Sequence, residues 1–272
     1  MLRDITFGQY YQANSPIHRL DPRTKLLLSV VYIFFLFCAE GILGYLLIAG
    51  FTISLYLISG VPLTMSLRNL KPVLPLILLT ALLNLFFVQD GEVLWQWGWL
   101  RLTAGGVLLA VTMAVRIVFL IAGTAILTYT TLPLSLTAGI EQLLSPLARI
   151  RFPAHELAMM MTIALRFIPT LLEEAQKLLM AQKARGADLE NGNPIKRFKS
   201  YFPIFIPLFV SSFRRAEELA IAMEARCYHG GKGRTRLREL HYAPGDLVAF
   251  LVVFAFGTTV VFFRIFFPGW ML

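Results

Sequence analysis

Long apolar stretches separated by short polar breaks dominate this chain. Five of them stand out, at residues 26–39, 42–59, 69–88, 105–128 and 247–267. A helix needs about 20 mostly apolar residues to cross the roughly 30 Å hydrocarbon core of a bilayer. The pattern therefore predicts five transmembrane helices. The first two are somewhat short and form a hairpin around Glu40 and Gly41.

The region between the fourth and fifth stretches has a different pattern. No run between Thr128 and Leu247 stays apolar long enough to span, but apolar residues recur at helix spacing in three segments. The first carries Leu136, Ile140 and Leu143, the second runs from about Ala154 to Gly186, and the third from about Pro203 to Tyr228. The fold class predicted is an all-α integral membrane protein with five spans and three cytoplasmic amphipathic helices, two of them crossing. Its predicted sections are 1–128, 129–246 and 247–272.

Composition supports a membrane protein. Of the 272 residues, 57% are hydrophobic and 15% charged, and the mean hydropathy is +0.68. Soluble domains carry charge on about 25% of positions. Basic residues cluster in the N-terminal tail and in the connection after the second stretch, whereas the opposite connections hold few. The positive-inside rule then predicts a multi-pass protein of the cell membrane with a cytoplasmic N-terminus and an outer C-terminus.

The net charge of +9 is unevenly distributed. Sixteen of the 25 Lys and Arg residues fall between Arg149 and Arg238, with acidic residues such as Glu173, Glu217 and Glu239 interleaved among them. A nucleic-acid surface would carry fewer acids, so the cytoplasmic side of a membrane protein explains the charge. The lipid bilayer is the expected partner of this chain, and nucleic acid is not.

Two features of the spans have functional and structural interpretations. Trp95, Trp97 and Trp99 alternate with other residues in the second outer connection, which favours an aromatic belt at the membrane interface. Arg116 lies near the middle of the fourth stretch, where an unpaired charge costs a few kcal/mol. It therefore either contacts a substrate or partner, or pairs within the protein and fixes helix packing.

A pattern of small residues and leucine occurs twice near the C-terminal end, and each copy ends in arginine. The copies are displaced by 41 residues and comprise Ala175, Leu178, Ala181, Ala184 and Arg185, then Ala216, Leu219, Ala222, Ala225 and Arg226. Small residues on a helix ridge let another helix approach closely, so these positions predict two crossing helices. One terminal arginine could simply offset the helix dipole. Two at the ends of a repeated pattern favour docking onto matched acidic pockets.

Motifs for catalysis, metal binding or nucleotide binding are not found in the sequence. The segment 229–235 is rich in glycine and lysine but does not fit the phosphate-binding pattern, and the four histidines lack metal-ligand spacing. We expect a non-catalytic subunit without cofactor or metal. Energy for any work it performs would come from a partner.

Several motifs resemble the transmembrane coupling subunit of energy-coupling factor transporters, and the resemblance covers nearly the whole chain. They are SPIHRLDPRTK (15–25), EQLLSPL (141–147), RFIPTL (166–171), AQKARG (181–186) and RRAEELAIAMEAR (214–226). The resemblance implies a complex with two ABC-type ATPases, expected as a heterodimer, and a membrane S component that captures a vitamin or other micronutrient. It also implies that the apolar surface of the spans and coupling helices holds the S component.

The resemblance further implies that two short motifs dock into the two ATPases. They correspond to Ala184-Arg185-Gly186 and Ala225-Arg226-Cys227. The family pattern usually has glycine after the second arginine, so Cys227 raises a question about the geometry of that helix end.

Three alternatives stay open. A closely related one is a dedicated subunit for a single substrate such as cobalt, nickel or biotin. An integral-membrane enzyme would need an acid, histidine or cysteine cluster near an interface. A basic membrane-surface module would bind polyanions in a strongly salt-sensitive manner without any ATPase.

Overall fold

The computed structural model describes residues 10–88, 90–97, 100–146, 152–187, 193–230 and 240–266. Within these residues the fold is almost wholly helical, with one two-stranded antiparallel sheet. Its elements are α1 (Pro22–Cys38), α2 (Gly41–Ser59), α3 (Leu63–Leu70), α4 (Leu74–Phe87), β1 (Val93–Trp97), β2 (Leu100–Thr103), α5 (Ala104–Thr130), α6 (Pro133–Leu144), α7 (Ala154–Ala184), α8 (Pro194–Ser200), α9 (Phe202–Ala225) and α10 (Pro244–Phe266).

The chain divides into two compact units. The first, here the bundle unit, lies within Gly8–Gly139 and Leu240–Leu272, and the second, the α7/α9 unit, lies within Ile140–Glu239. The predicted section boundaries at 129 and 246 stay a prediction. The assignment of the middle section to the cytoplasm stays a prediction.

The bundle unit is organised around α5. Helices α1, α2, α3 and α4 all pack against α5, and α10 packs against α1 and α2. One buried cluster joins α2 to α5 through Tyr56, Ala122 and Tyr129, and the Tyr56 hydroxyl donates to the Ala122 carbonyl at 2.8 Å. Many leucine, valine and phenylalanine side chains of the spans are exposed, above all in α4 and α10, as expected of helices that face lipid.

Two glycines let α1 approach its neighbours closely. Gly123 of α5 faces the Tyr32 ring and Gly257 of α10 faces the Phe35 ring, so near that a β-carbon at either position would overlap the ring. Small residues at contacts between membrane helices permit this kind of close packing. The aromatic side chains of α1 thus occupy space that the two glycines leave open.

Five described helical segments are long and apolar enough to cross a membrane, but they are not the five predicted. Four agree with the predicted spans: Gly41–Ser59, Leu63–Phe87, Ala104–Thr130 and Pro244–Phe266. The fifth is Ala154–Ala184.

The expectation that no stretch between Thr128 and Leu247 could span is therefore wrong by length and composition. The helix that this expectation missed is α7. The mean hydropathy of its most apolar 18 residues is 1.2, whereas that of the other four segments is 2.0–2.3. Its first half is apolar enough because four of its six Asp, Glu, Lys and Arg residues follow Leu172. Conversely, the first predicted span lies in α1, which has 17 residues and is not among these five.

The connection between α4 and α5 contains the β1–β2 hairpin, which the apolar pattern of the sequence does not predict. Trp95 pairs with Leu102 and Trp97 with Leu100, and a bulge lies between Val93 and Trp95. Alternation of aromatic residues is itself a strand pattern, because successive side chains of a strand point to opposite faces. The third tryptophan of the predicted belt, Trp99, lies outside the described residues.

The α7/α9 unit contains the second and third predicted amphipathic helices, whereas the first corresponds to α6, which crosses the limit between the two units at Gly139 and Ile140. Helix α7 has 31 residues with Pro169 in its interior, and α9 has 24 with Pro207 in its interior. The two pack on each other, and the short helix α8 precedes α9. The predicted ends at Gly186 and Tyr228 lie two residues after the end of α7 at Ala184 and three after the end of α9 at Ala225.

Candidate docking site at two helix ends

The first helix end is a Schellman motif with Arg185 as the C-cap residue. The Gly186 amide donates to the Lys183 carbonyl and the Ala187 amide donates to the Gln182 carbonyl, both at 3.0 Å. Gly186 has a φ of +83°, the left-handed conformation that this motif requires and that glycine adopts without strain. The arrangement stops α7 sharply and fixes the backbone of Arg185.

The second helix end repeats this arrangement around Arg226. The Cys227 amide donates to the Glu224 carbonyl at 2.9 Å, and the Tyr228 amide donates to the Met223 carbonyl at 3.0 Å. Cys227 has a φ of +55° and is the one non-glycine residue with positive φ among the described residues. The departure from glycine in the sequence thus leaves the geometry of the helix end intact.

Both arginines are available to a partner. Arg185, Arg226 and the flanking Ala184 and Ala225 are exposed. Within the described residues, neither guanidinium makes a hydrogen bond or an ion pair. A guanidinium offers a planar fork of donors that matches a carboxylate, so each end can accept an acidic partner group.

The predicted packing residues are less buried than the docking hypothesis assumed. Ala175, Leu178 and Leu219 are half-buried, whereas Ala181, Ala216 and Ala222 are exposed. That the ridges pack on each other through these alanines stays a prediction.

A polar contact that the sequence pattern does not predict joins α7 to α9. Arg215 Nη2 donates to Glu174 Oε2 at 2.8 Å, and the Ser211 hydroxyl donates to Glu174 Oε1 at 2.6 Å. A signal was present in the sequence, since Glu174 and Arg215 are separated by the same 41 residues as the two copies of the repeat.

Arg116 contacts the end of a neighbouring helix in the bundle unit. Its Nη2 donates to the Ala39 carbonyl at 3.4 Å, and its guanidinium lies 5.5 Å from the Phe37 ring centroid. Arg264 reaches the same break between α1 and α2 and pairs with Glu40 at 2.7 Å. A cation near the C-terminal end of α1 is favourable, and these contacts support the helix-packing interpretation of Arg116.

The motif at residues 15–25 ties three parts of the bundle unit together. The Asp21 amide donates to Asp246 Oδ1 at 2.9 Å, which links the start of α1 to the start of α10. Lys25 Nζ donates to the carbonyls of Thr130 at 2.8 Å and His18 at 3.1 Å, which links α1 to the end of α5. Burial lowers the pKa of Lys25, which precedes the first predicted span, to about 8, although the carboxylates of Asp246 and Asp21 oppose the shift.

No group of three or more His, Cys, Asp or Glu side chains is placed to hold a metal ion in the described part of the chain. Cys38 is half-buried and Cys227 exposed, and both are free thiols.

Comparisons with known proteins agree with the sequence motifs. Residues 13–237 match the CbiQ family model, described as cobalt transport protein. The energy-coupling factor transporter transmembrane protein EcfT of Clostridium kluyveri is 53% identical over 252 residues, which cover 92% of this chain and 93% of that protein. The protein of the same name from Acidaminococcus fermentans is 51% identical over 264 residues, with 97% and 98% covered. That of Bacillus subtilis is 41% identical over 264 residues, with 97% and 100% covered.

The chain belongs to the EcfT family.

Membership confirms the resemblance drawn from the sequence motifs. The family consists of transmembrane components of energy-coupling factor transporters, which are not themselves enzymes. Together with the five apolar helices, it establishes a multi-pass membrane protein.

Proposed function

We propose that this chain transmits an ATP-driven conformational change from two ABC-type ATPase subunits to a substrate-binding S component in the membrane. The ATPases form a heterodimer, and the substrate is a vitamin or another micronutrient. One observation carries the proposal: Arg185 and Arg226 stand at two helix ends of the same construction, exposed and without a described partner.

Arginine suits such a contact physically. It stays charged at any physiological pH and makes two parallel hydrogen bonds to one carboxylate. Removing one member of a desolvated charge pair typically costs about 2–5 kcal/mol of binding. Two such contacts on two rigid helices would transmit the movement of both ATPases into this subunit.

An exposed aromatic face on α8 and α9 supports the contact to the S component. Its five phenylalanines are spaced three or four residues apart and are each 50–70% exposed: Phe198, Phe202, Phe205, Phe209 and Phe213. We call this surface the Phe face. A contiguous apolar surface of this kind marks an interaction site in most proteins, and the S component is itself a membrane protein.

The charge distribution along α7 supports its role as a coupling helix despite its length. Between Glu173 and Arg185 the helix carries Glu174, Lys177 and Lys183 in addition, which a membrane-crossing segment would have to bury. We therefore place the α7/α9 unit on the cytoplasmic side, with the N-terminus inside and the C-terminus outside.

A dedicated subunit for a single substrate is the second candidate. The description of the matching family model, cobalt transport protein, favours it, whereas the names of the relatives are general to energy-coupling factor transporters. Purification of the complex in mild detergent would separate the two. Several different S components bound to this subunit would indicate the shared type, and one would indicate the dedicated type.

Reversal of the two charges tests the docking assignment. The Arg185→Glu/Arg226→Glu variant should lose both ATPases in a pull-down while its insertion into the membrane persists. Lys177→Glu/Arg214→Glu is a matched control, because it reverses two exposed basic residues on the same helices. Retention of both ATPases at wild-type yield by the first variant would refute the assignment.

A further inference from the structure

We propose that Glu174 and Arg215 form a positioning pair that sets the point where α7 and α9 meet, and thereby holds Arg185 and Arg226 at equal distances from it. This inference rests on the proposed docking function and names the residues that fix the relative position of the two arginines.

The contact has the features of a specific pair. The two oxygens of Glu174 have different partners, Arg215 at 2.8 Å and the Ser211 hydroxyl at 2.6 Å. Both partners lie on one face of α9, one turn apart, so the carboxylate bridges two successive turns. Hydrogen bonds to a charged group are short and directional, and those of this carboxylate restrict both the register and the orientation of the two helices.

The pair also joins equivalent positions of the repeat. Because Ala175 corresponds to Ala216, Glu174 corresponds to Arg215, and the salt bridge connects a residue to its own counterpart. A contact between equivalent residues is what an approximate two-fold axis between two helices produces. In this proposal, such an axis passes near the salt bridge and relates α7 to α9.

The two helix segments that run from the pair to Arg185 and to Arg226, here called the arms, are therefore equally long. Arg185 lies eleven residues after Glu174, and Arg226 lies eleven residues after Arg215. At 1.5 Å per helical residue, each arginine stands about 16 Å along its helix from the pair. A slip of α9 by one turn would displace Arg226 by about 5.4 Å and make the arms unequal. Two ATPases related by an approximate two-fold axis need two ends at matched positions.

The apolar contacts around the pair do not by themselves fix the register of α7 against α9. Of the repeat residues that flank it, Ala175, Leu178 and Leu219 are half-buried but Ala181, Ala216 and Ala222 are exposed, so only part of the predicted ridge contributes the interdigitation that fixes helix register. A partly exposed ion pair adds little stability because water screens it. Its directionality can still select one register, a role that polar residues are known to play between packed helices.

Spin-label distance measurements on the purified subunit in detergent test the inference. Met180 and Ile221 are repeat-equivalent, exposed and outside both arginine motifs, so cysteines at these positions report the separation of the two arms. The native thiols are removed by Cys38→Ala and Cys227→Gly. The variants compared are Glu174→Arg, Arg215→Glu and their combination, with Glu173→Arg as the control because Glu173 is an exposed neighbour on the same turn.

The pair predicts a clear pattern of distances. The parent should give one narrow distribution, each single reversal should broaden or displace it by several ångströms, and the charge-swapped combination should restore it. The control should leave it unchanged. Glu174→Gln, which keeps the shape of the side chain, should broaden the distribution to a smaller extent. This variant tests the pair even if a charge-reversal variant does not fold. An unchanged distribution in both Glu174→Arg and Glu174→Gln, or a folded charge swap without restoration, would overturn the proposal.

The same variants separate this proposal from the docking proposal. In the assembled complex, Glu174→Arg should lower transport relative to ATP hydrolysis, and the charge swap should recover it. If the arginines do not dock, the distances still respond to the pair, but Arg185→Glu/Arg226→Glu retains the ATPases. If the pair does not position the helices, the distances are unchanged while the arginine variant still loses the ATPases.

Discussion

Cys227 occupies in the second helix end the position that Gly186 occupies in the first, and both residues adopt left-handed backbone conformations. Their φ values are +55° and +83°. The hydrogen bonds around them connect the corresponding residues of the two helices. The second helix end therefore keeps its geometry with a residue that is strained in it, since a β-carbon in this conformation costs roughly 1–2 kcal/mol.

This strain leads to a first prediction. Cys227→Gly should stabilise the end of α9 by about 1 kcal/mol, because glycine adopts the same φ without the clash. Hydrogen exchange of the Tyr228 amide, which donates to the Met223 carbonyl, should slow several-fold.

Cys227→Ala is the appropriate control, since it removes the thiol but keeps the β-carbon. Its exchange rate should match that of the parent. Equal protection in the glycine and alanine variants would mean that the positive φ is not the source of strain.

A second prediction concerns the close approach of α1 to α10. Gly257→Ala should place a methyl group against the Phe35 ring and destabilise the bundle unit by about 1–3 kcal/mol, the usual penalty for overpacking. Thermal unfolding in detergent should show a lower midpoint. Phe35→Leu should recover part of the loss in the double variant, because the smaller side chain vacates the contact.

Gly50→Ala provides the matched control for this prediction. Gly50 also lies within a span, but a β-carbon there meets no atom within 4 Å. Its midpoint should equal that of the parent or exceed it slightly, since alanine favours helix. A Gly257→Ala variant as stable as Gly50→Ala would contradict the packing described for Phe35.

A third prediction separates the two partner surfaces. Phe205→Asn/Phe209→Asn should weaken co-purification of the S component at least tenfold while both ATPases remain bound, because the substitutions remove exposed apolar area on the Phe face only. Met180→Asn changes a similarly exposed apolar residue, at 61%, that lies outside the Phe face, and should bind like the parent. Loss of the ATPases together with the S component would show that the Phe face has no separate role.

The end of α7 and four of the spans can be predicted from the sequence, because each depends on residues that are close together in the chain. Gly186 stops α7 through its conformational freedom, and four of the spans are apolar over at least the length that a bilayer demands. Both signals are local. The repeat that marks Arg185 and Arg226 is likewise visible in a one-dimensional pattern.

Features that depend on tertiary neighbours were not predictable in the same manner. The partner of Arg116 is the backbone carbonyl of Ala39. Every residue has such a carbonyl, so the sequence does not identify this one. The hairpin at β1 and β2 was missed because tryptophan fits both an interfacial belt and a strand. The span assignment failed at α7 because four of its six Asp, Glu, Lys and Arg residues follow Leu172, which leaves the preceding segment apolar enough to span.

The contact between Glu174 and Arg215 is another feature that the sequence alone does not predict. The 41-residue displacement relates the two positions in sequence, but opposite charges at equivalent positions also occur on helices that never touch. Only the packing of α7 on α9 shows that the carboxylate and the guanidinium meet.

Photocrosslinking in native membranes tests the central claim most directly. A photoreactive amino acid placed at Ala184 or at Ala225 lies next to one arginine without replacing it. The proposed function predicts a covalent adduct with an ATPase subunit from each position, and with a different subunit from each if the pair is a heterodimer. Adducts confined to lipid or to this chain itself, in membranes that contain the assembled ATPases, would contradict it.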